Sequence, residues 1–222
     1  MKNRPYRILL SCEHASALIP PHLTFLFQGR EALLNTHKAV DFGAYELSQY
    51  LYSKIGDAFF YGVYSRLVID LNRSLHHRQL FSEITQSLEL KVKNQIINDI
   101  YLPYRKTIFD NISSWVNQNY LVYHFSIHSF TPVLKHEVRK NDLGLLFDPK
   151  RVPERALCQL WRYRLNQSQN KWFIRFNYPY RGTSDGLTTF LRKQFLPEQY
   201  IGIEIEMNQK FFLERIFLHS KI

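Results

Sequence analysis

The 222 residues are 45% hydrophobic and 22% charged, an ordinary balance that excludes a disordered or fibrous chain and suits one globular domain over 1–222. No apolar run nears the ~18 residues of a membrane span, and Ile8-Leu9-Leu10 behind the basic start is too short for a signal segment, so a cytoplasmic location is expected. The net charge of +10 is scattered, with only doublets such as Arg139-Lys140 and Lys150-Arg151, so it fits a solvated basic surface or an anionic small substrate as well as nucleic acid.

Apolar runs alternate with amphipathic segments along the chain, the signature of an α/β fold. The pattern predicts strands over residues 7–12, 58–64, 67–71, 121–127, 144–147, 172–176 and 200–207. It predicts helices over 41–54, 88–117 with a break near Pro103, 153–167 and 188–194, and a short helix after Asn208. No repeat, low-complexity stretch or Gly/Ser linker marks a domain boundary. The two cysteines, Cys12 and Cys158, form no CxxC pair, which argues against a cysteine metal site or a disulfide framework.

Two histidines leave apolar strands into small polar turns: His14 in Ser-Cys-Glu-His-Ala-Ser and His128 in Phe-Ser-Ile-His-Ser-Phe. Ligands of open α/β sheets gather at the carboxyl ends of the strands, where both fall. A catalytic zinc ion takes three protein donors and leaves one position open, and imidazole nitrogens with a carboxylate suit it. Either histidine alone reads equally well as a hydrogen-bonded residue at a strand end. Three carboxylates compete for the third place. Asp41 opens a predicted helix, where an N-cap is its plain explanation. Glu46 lies one turn further on, where a solvated position is usual. Glu13 points away from His14 if the first strand continues through them. The adjacent pair His76-His77 is a poor chelate and is left out, as are His37, His124 and His136.

Several segments together resemble the N-formylglutamate amidohydrolase family. They are Glu13-His14-Ala15-Ser16 with Ile19-Pro20, Asp41-Phe42-Gly43-Ala44, and Ser65-Arg66-Leu67-Val68-Ile69-Asp70-Leu71-Asn72-Arg73. Next come Ser126-Ile127-His128-Ser129-Phe130-Thr131-Pro132 and Gly144-Leu145-Leu146-Phe147-Asp148. Asn177-Tyr178-Pro179-Tyr180-Arg181-Gly182 and Gly202-Ile203-Glu204-Ile205-Glu206-Met207-Asn208-Gln209 complete the set. The resemblance implies the architecture of zinc carboxypeptidases and aspartoacylases, a mixed, mostly parallel sheet with helices on both faces. It also implies one zinc ion on His14, Asp41 and His128. Ala17 stands where carboxypeptidases carry the acidic residue of their first His-x-x-Glu, so Glu13 and Glu46 stay open as the carboxylate.

Asp70-Leu71-Asn72-Arg73 is similar to an aspartoacylase segment whose Asn and Arg bind a substrate carboxylate, while an earlier arginine polarises the scissile carbonyl. That implies Asn72 and Arg73 as substrate-binding residues, Arg66 as the polarising one and Asp70 as its orienting partner. A guanidinium grips a carboxylate through two parallel hydrogen bonds. Arg181, helped by Asn177, is a second candidate of this kind. Glu204 and Glu206 lie two apart on an apolar strand and share a face, which is costly unless they meet a site, a partner or water. The family pattern Ile-Glu-x-Asn favours Glu206 as general base, and the aspartoacylase run Gly-Ile-Glu favours Glu204; Glu206 is preferred. The expected substrate is a small anionic N-acyl amino acid such as N-formyl-L-glutamate, with neither nucleic acid nor membrane as partner. The rivals are a zinc amidase acting on cell-wall fragments or peptides, and a non-catalytic basic nucleic-acid-binding protein.

Overall fold

Most of the predicted apolar runs become the strands of a six-stranded sheet in the computed structural model, which describes residues 4–169 and 171–212. In chain order the elements are β1 (Tyr6–Cys12), α1 (Glu31–Leu34), α2 (Ala44–Ile55), β2 (Ala58–Tyr61), α3 (Leu90–Ile96) and α4 (Leu102–Asn117). They continue with β3 (Leu121–Phe130), β4 (Val133–Leu134), β5 (Glu137–Val138), β6 (Leu143–Leu146), α5 (Val152–Asn166), β7 (Ile174–Phe176), α6 (Leu187–Arg192) and β8 (Tyr200–Asn208). The order across the sheet is β2-β1-β3-β8-β6-β7, with β4 and β5 forming a separate hairpin. Within the six-stranded sheet all neighbours run parallel except β6 and β8. The fold is therefore the expected mixed, mostly parallel α/β sheet.

Helices cover both faces. On one face Ala44, Leu47 and Leu51 of α2 and Leu157, Cys158 and Trp161 of α5 pack on Leu10, Phe125, Ile127 and Ile203. On the other, Ile108 and Ile112 of α4 and Leu187 and Leu191 of α6 pack on Leu9, Val122 and Tyr200. Strand β3, sandwiched between them, is buried along nearly its whole length. The burial takes in its polar His124, Ser126 and His128, which alternate with Phe125 and Ile127.

The run 67–71 is not a strand. Leu67, Val68, Ile69 and Leu71 are buried in a third cluster, but the backbone there turns instead of pairing. Side chains satisfy it: Ser82 and Thr85 hydroxyls donate to the carbonyl of Leu67, Thr85 also to that of Val68, and Arg105 to that of Leu71. Apolar content announced the burial, while the donors that replaced a neighbouring strand lay far away in sequence. The expected break near Pro103 takes the form of a π turn, Ile97–Tyr101, whose wider winding relieves the clash of the proline ring with the preceding turn. The helix expected after Asn208 falls mostly outside the described residues. No helix among the described residues is long and apolar enough to cross a membrane.

His124 is fully buried between Ser11 Oγ and Tyr200 OH, each 2.7 Å from one of its ring nitrogens. Burial holds its pKa down to about 4, with Arg192 and His128 opposing its charge and Glu13 favouring it. The folded state thus takes this proton later than the unfolded chain, whose ordinary value is 6.5. His124 costs nothing above that pH, and stability falls by ~1.4 kcal/mol per pH unit as pH drops from there towards the folded value. A proton NMR titration is expected to leave the His124 ring neutral at pH 5.5; protonation near pH 6.5 would contradict the burial argument.

Candidate metal centre

Strands β1, β3 and β8 are consecutive in the sheet and parallel, so their carboxyl ends open on one crevice. His14 lies two residues beyond β1. His128 lies inside β3, which runs on to Phe130 rather than ending before the histidine. Directly opposite His128 on β8 is Glu206, and opposite Ser126 is Glu204. Because β1 stops at Cys12, strand alternation does not govern Glu13 and His14, and both side chains turn into the same buried cluster.

Asp41 reaches that cluster because α2 starts later than its sequence suggested. The helix begins at Ala44 behind Gly43, whose φ of 77° is the left-handed turn that glycine allows without strain. Asp41 caps nothing; its backbone N–H donates to the carbonyl of His14 at 3.0 Å, tying the two loops together. Its Oδ2 lies 2.9 Å from His128 Nδ1 and 3.3 Å from His14 Nδ1. Glu46 is exposed on α2, away from the cluster.

The far nitrogen of each imidazole is held by another buried carboxylate. His14 Nε2 is 2.8 Å from Asp70 Oδ1, and His128 Nε2 is 3.0 Å from Glu13 Oε2. Asp70 in turn pairs with Arg66 at 2.7 Å. Glu13 accepts from Ser126 Oγ at 2.6 Å and from Tyr104 OH at 3.0 Å. Both rings are thereby aimed so that Nδ1 faces Asp41.

One donor atom from each of His14, Asp41 and His128 lies within 4.8 Å of the others. Donors around a tetrahedral ion with ligands at ~2.0–2.2 Å stand about 3.3 Å apart, so the set fits a divalent cation. Charge fits as well. Burial alone would lower the pKa of His128, yet the hydrogen bonds it donates to Asp41 and Glu13 carry it well above its usual value; His14 is raised too, against its burial and Arg66, by Asp70 and Asp41. Asp41 stays far below the usual carboxylate range despite its burial, held there by the two histidines. A divalent ion would take the place of two imidazole protons without changing the net charge.

Glu206 behaves in the opposite way. Burial pushes its pKa up to about 8; Asp41 and Glu204 add to the rise, and the two histidines pull against it. Its Oε2 is buried with no hydrogen-bond partner. Glu204, on the same face, accepts from Thr188 Oγ1.

His14, Asp41, Asp70 and His128 line a cavity of about 670 Å³ that is also lined by Arg66, Asn72, Arg73, Arg181, Glu204 and Glu206. Arg66 is partly exposed to it while anchored by Asp70 and, at 3.7 Å, by Asp41. Asn72 Oδ1 accepts from Leu187 N, and Arg73 Nη1 donates to the carbonyl of Asp185, so both are partly committed to the fold. Arg181 is exposed, and its guanidinium has no partner among the described residues. Asn177 is not brought into the lining: its Oδ1 accepts from Phe147 N and Gly182 N, both at 3.0 Å, and shapes the Pro-Tyr-Arg-Gly turn. His37, set aside on sequence, lines the cavity, while His76 and His136 are exposed outside it. Tyr104 carried no sequence signal and Ser126 was noted only as part of the His128 segment, since nothing local shows that they meet Glu13.

Two imidazoles and a carboxylate buried at adjoining strand ends, with a free carboxyl group beside them in a cleft, define the class: an α/β protein with a candidate metal centre of the hydrolytic type. The chain belongs to the N-formylglutamate amidohydrolase family, whose sequence profile matches residues 6–213. Its fold matches a gene product of Agrobacterium tumefaciens with a TM-score of 0.77 and 27% identity, over 93% of this chain and 82% of that one. It also matches an N-formylglutamate amidohydrolase from Ralstonia eutropha with a TM-score of 0.63 and 15% identity, over 94% of this chain and 83% of that one, a likeness of fold. No curated protein is significantly similar in sequence.

Carboxylates behind metal-binding histidines typically contribute about 10- to 100-fold to metal affinity. Glu13→Gln and Asp70→Asn are each expected to weaken divalent-metal binding by about that factor, read by competition with a chromophoric chelator. Affinities equal to wild type in folded variants would show that the two acids do not orient the rings.

Proposed function

We propose that the chain is a zinc-dependent amidohydrolase that cleaves the amide of a small N-acyl amino acid, with N-formyl-L-glutamate going to formate and glutamate. The observation that carries this reading is one carboxylate oxygen of Asp41 shared by His14 and His128, beside the unpartnered carboxyl group of Glu206. An ion on these three residues would supply Lewis acidity, polarising the amide carbonyl and making water a stronger nucleophile near neutral pH.

The protein's own groups do the rest. Glu206 accepts a proton from the attacking water as the new C–O bond forms, and returns it to the departing nitrogen as the C–N bond breaks. A general base works best with a pKa near the working pH, and burial moves Glu206 in that direction. Arg66, held rigid by Asp70, places a fixed positive charge at the cavity wall, where oxygen becomes negative in the transition state. Arg181, whose guanidinium has no partner among the described residues, grips a substrate carboxylate, and Asn72 and Arg73 add polar contacts in the same cavity.

His128→Ala is expected to lose metal and activity together. Glu206→Gln should keep the metal while turnover falls by about 10²- to 10⁴-fold, the usual contribution of a positioned acid–base group. Metal content by elemental mass spectrometry and initial rates on N-formyl-L-glutamate check both, and a Glu206→Gln protein with near wild-type turnover would overturn that role. A substrate panel separates the rivals: N-formyl-L-glutamate should be hydrolysed in preference to N-acetyl-L-aspartate and muropeptides, whereas preferred muropeptides would favour the cell-wall amidase. Tight, salt-sensitive RNA or DNA binding by a metal-free protein would favour the nucleic-acid reading.

A further inference from the structure

Residues 185–188 lie between two sets of cavity residues and hold both. The backbone carbonyl of Asp185 accepts from Arg73 Nη1 at 2.8 Å, and its Oδ2 accepts from the backbone N–H of Ser74 at 2.8 Å. Leu187 N donates to Asn72 Oδ1 at 2.7 Å, and Thr188 Oγ1 donates to Glu204 Oε1. Gly186, between them, is closely packed: a Cβ there would stand 3.0 Å from Asn72 Oδ1 and 3.5 Å from Glu204 Oε1. Its φ of 179° is extended backbone that any residue adopts, so a side chain there would meet a lack of space and no backbone strain. Asn72, Arg73, Asp185 and Glu204 all line the metal cavity.

The 72–74 segment pairs with no strand, so its polar groups are held one by one. The carbonyl of Arg73 accepts from Tyr101 OH at 2.6 Å and from Arg105 Nη1 at 3.2 Å. Residues 185–187 take the N–H of Ser74 and the side chains of Asn72 and Arg73. Both side chains are thereby fixed in direction. With its carbonyl oxygen bound to Leu187, the Asn72 amide turns Nδ2 to within 3.4 Å of His128 Nε2. A guanidinium is a rigid fork of five N–H donors, so the bond from Nη1 to Asp185 aims the others as well.

We propose that Asp185 is a positioning residue, which clasps Arg73 and the Ser74 backbone so that residues 185–188 set the direction of Arg73 and Asn72 in the cavity. This rests on the amidohydrolase reading, in which those two side chains contact the substrate. Asp185 itself touches no reacting atom. Its carboxylate serves as the acceptor for a main-chain N–H, a task that an amide oxygen also performs.

Steady-state kinetics of the metal-loaded full chain on N-formyl-L-glutamate test the clasp. Asp185→Ala should raise KM about tenfold with kcat within about twofold of wild type, the pattern of lost binding that is shared by ground and transition states. Asp185→Asn keeps the acceptor and should hold KM within about twofold of wild type. An unchanged KM in Asp185→Ala, a loss confined to kcat, or an equal loss in Asp185→Asn overturns the proposal. If Asp185→Ala does not fold, Gly186→Ala presses on Asn72 from the same segment and should raise KM likewise; a wild-type KM overturns it. If the wild type does not hydrolyse the compound, the amidohydrolase reading fails by itself, and amide hydrogen exchange followed by NMR reads the clasp. The Ser74 and Leu187 amides should then exchange about tenfold faster in Asp185→Ala than in wild type or Asp185→Asn, and equal rates overturn the clasp.

Discussion

A single oxygen, Oδ2 of Asp41, is the point at which three distant segments of the chain meet. Bringing it between two buried imidazoles is tenable only if each ring is oriented and the charges balance. Asp70 and Glu13 meet the first condition from behind the rings, and the second is met by two ring protons or by one divalent cation. The surrounding structure follows from this demand. Parallel β1 and β3 deliver the histidines side by side, β8 sets Glu206 opposite His128, and Gly43 delays α2 long enough for Asp41 to turn inward.

The same chemical group takes opposite roles here according to what faces it. Asp41, Glu13 and Asp70 are as buried as Glu206, yet all three are held far below the ordinary carboxylate range by histidines or arginine. Glu206 sees burial and other acids without a partner of its own, and its affinity for a proton rises. Carboxyl groups driven apart in this way divide labour between holding positive charge and moving protons. Apart from Arg66, four residues before Asp70, the division is created by neighbours far off in sequence, with His14 27 residues from Asp41 and 56 from Asp70 and His128 87 from Asp41, so composition alone could not reveal it.

The α/β layering was legible because apolar runs record burial, and His14, Asp41 and His128 were legible as a resemblance across ordered short segments. What was not legible was set by long-range partners. The 67–71 run looked like a strand because its residues are buried, but Ser82, Thr85 and Arg105 serve its backbone. Asn177 looked like a ligand-binding residue and instead braces a turn, since local sequence does not show where its carbonyl oxygen will be used. Glu13 was open as a competing ligand and had been expected to face away from His14; the end of β1 one residue earlier lets it stand behind His128.

Anomalous diffraction from crystals of the zinc-loaded protein tests the central claim most directly. One strong peak per chain is expected within ~2.0–2.2 Å of His14 Nδ1, His128 Nδ1 and an Asp41 oxygen, with Glu13 and Asp70 still behind the rings. A peak at another cluster, or a folded protein that binds no zinc between these three residues, would contradict the account.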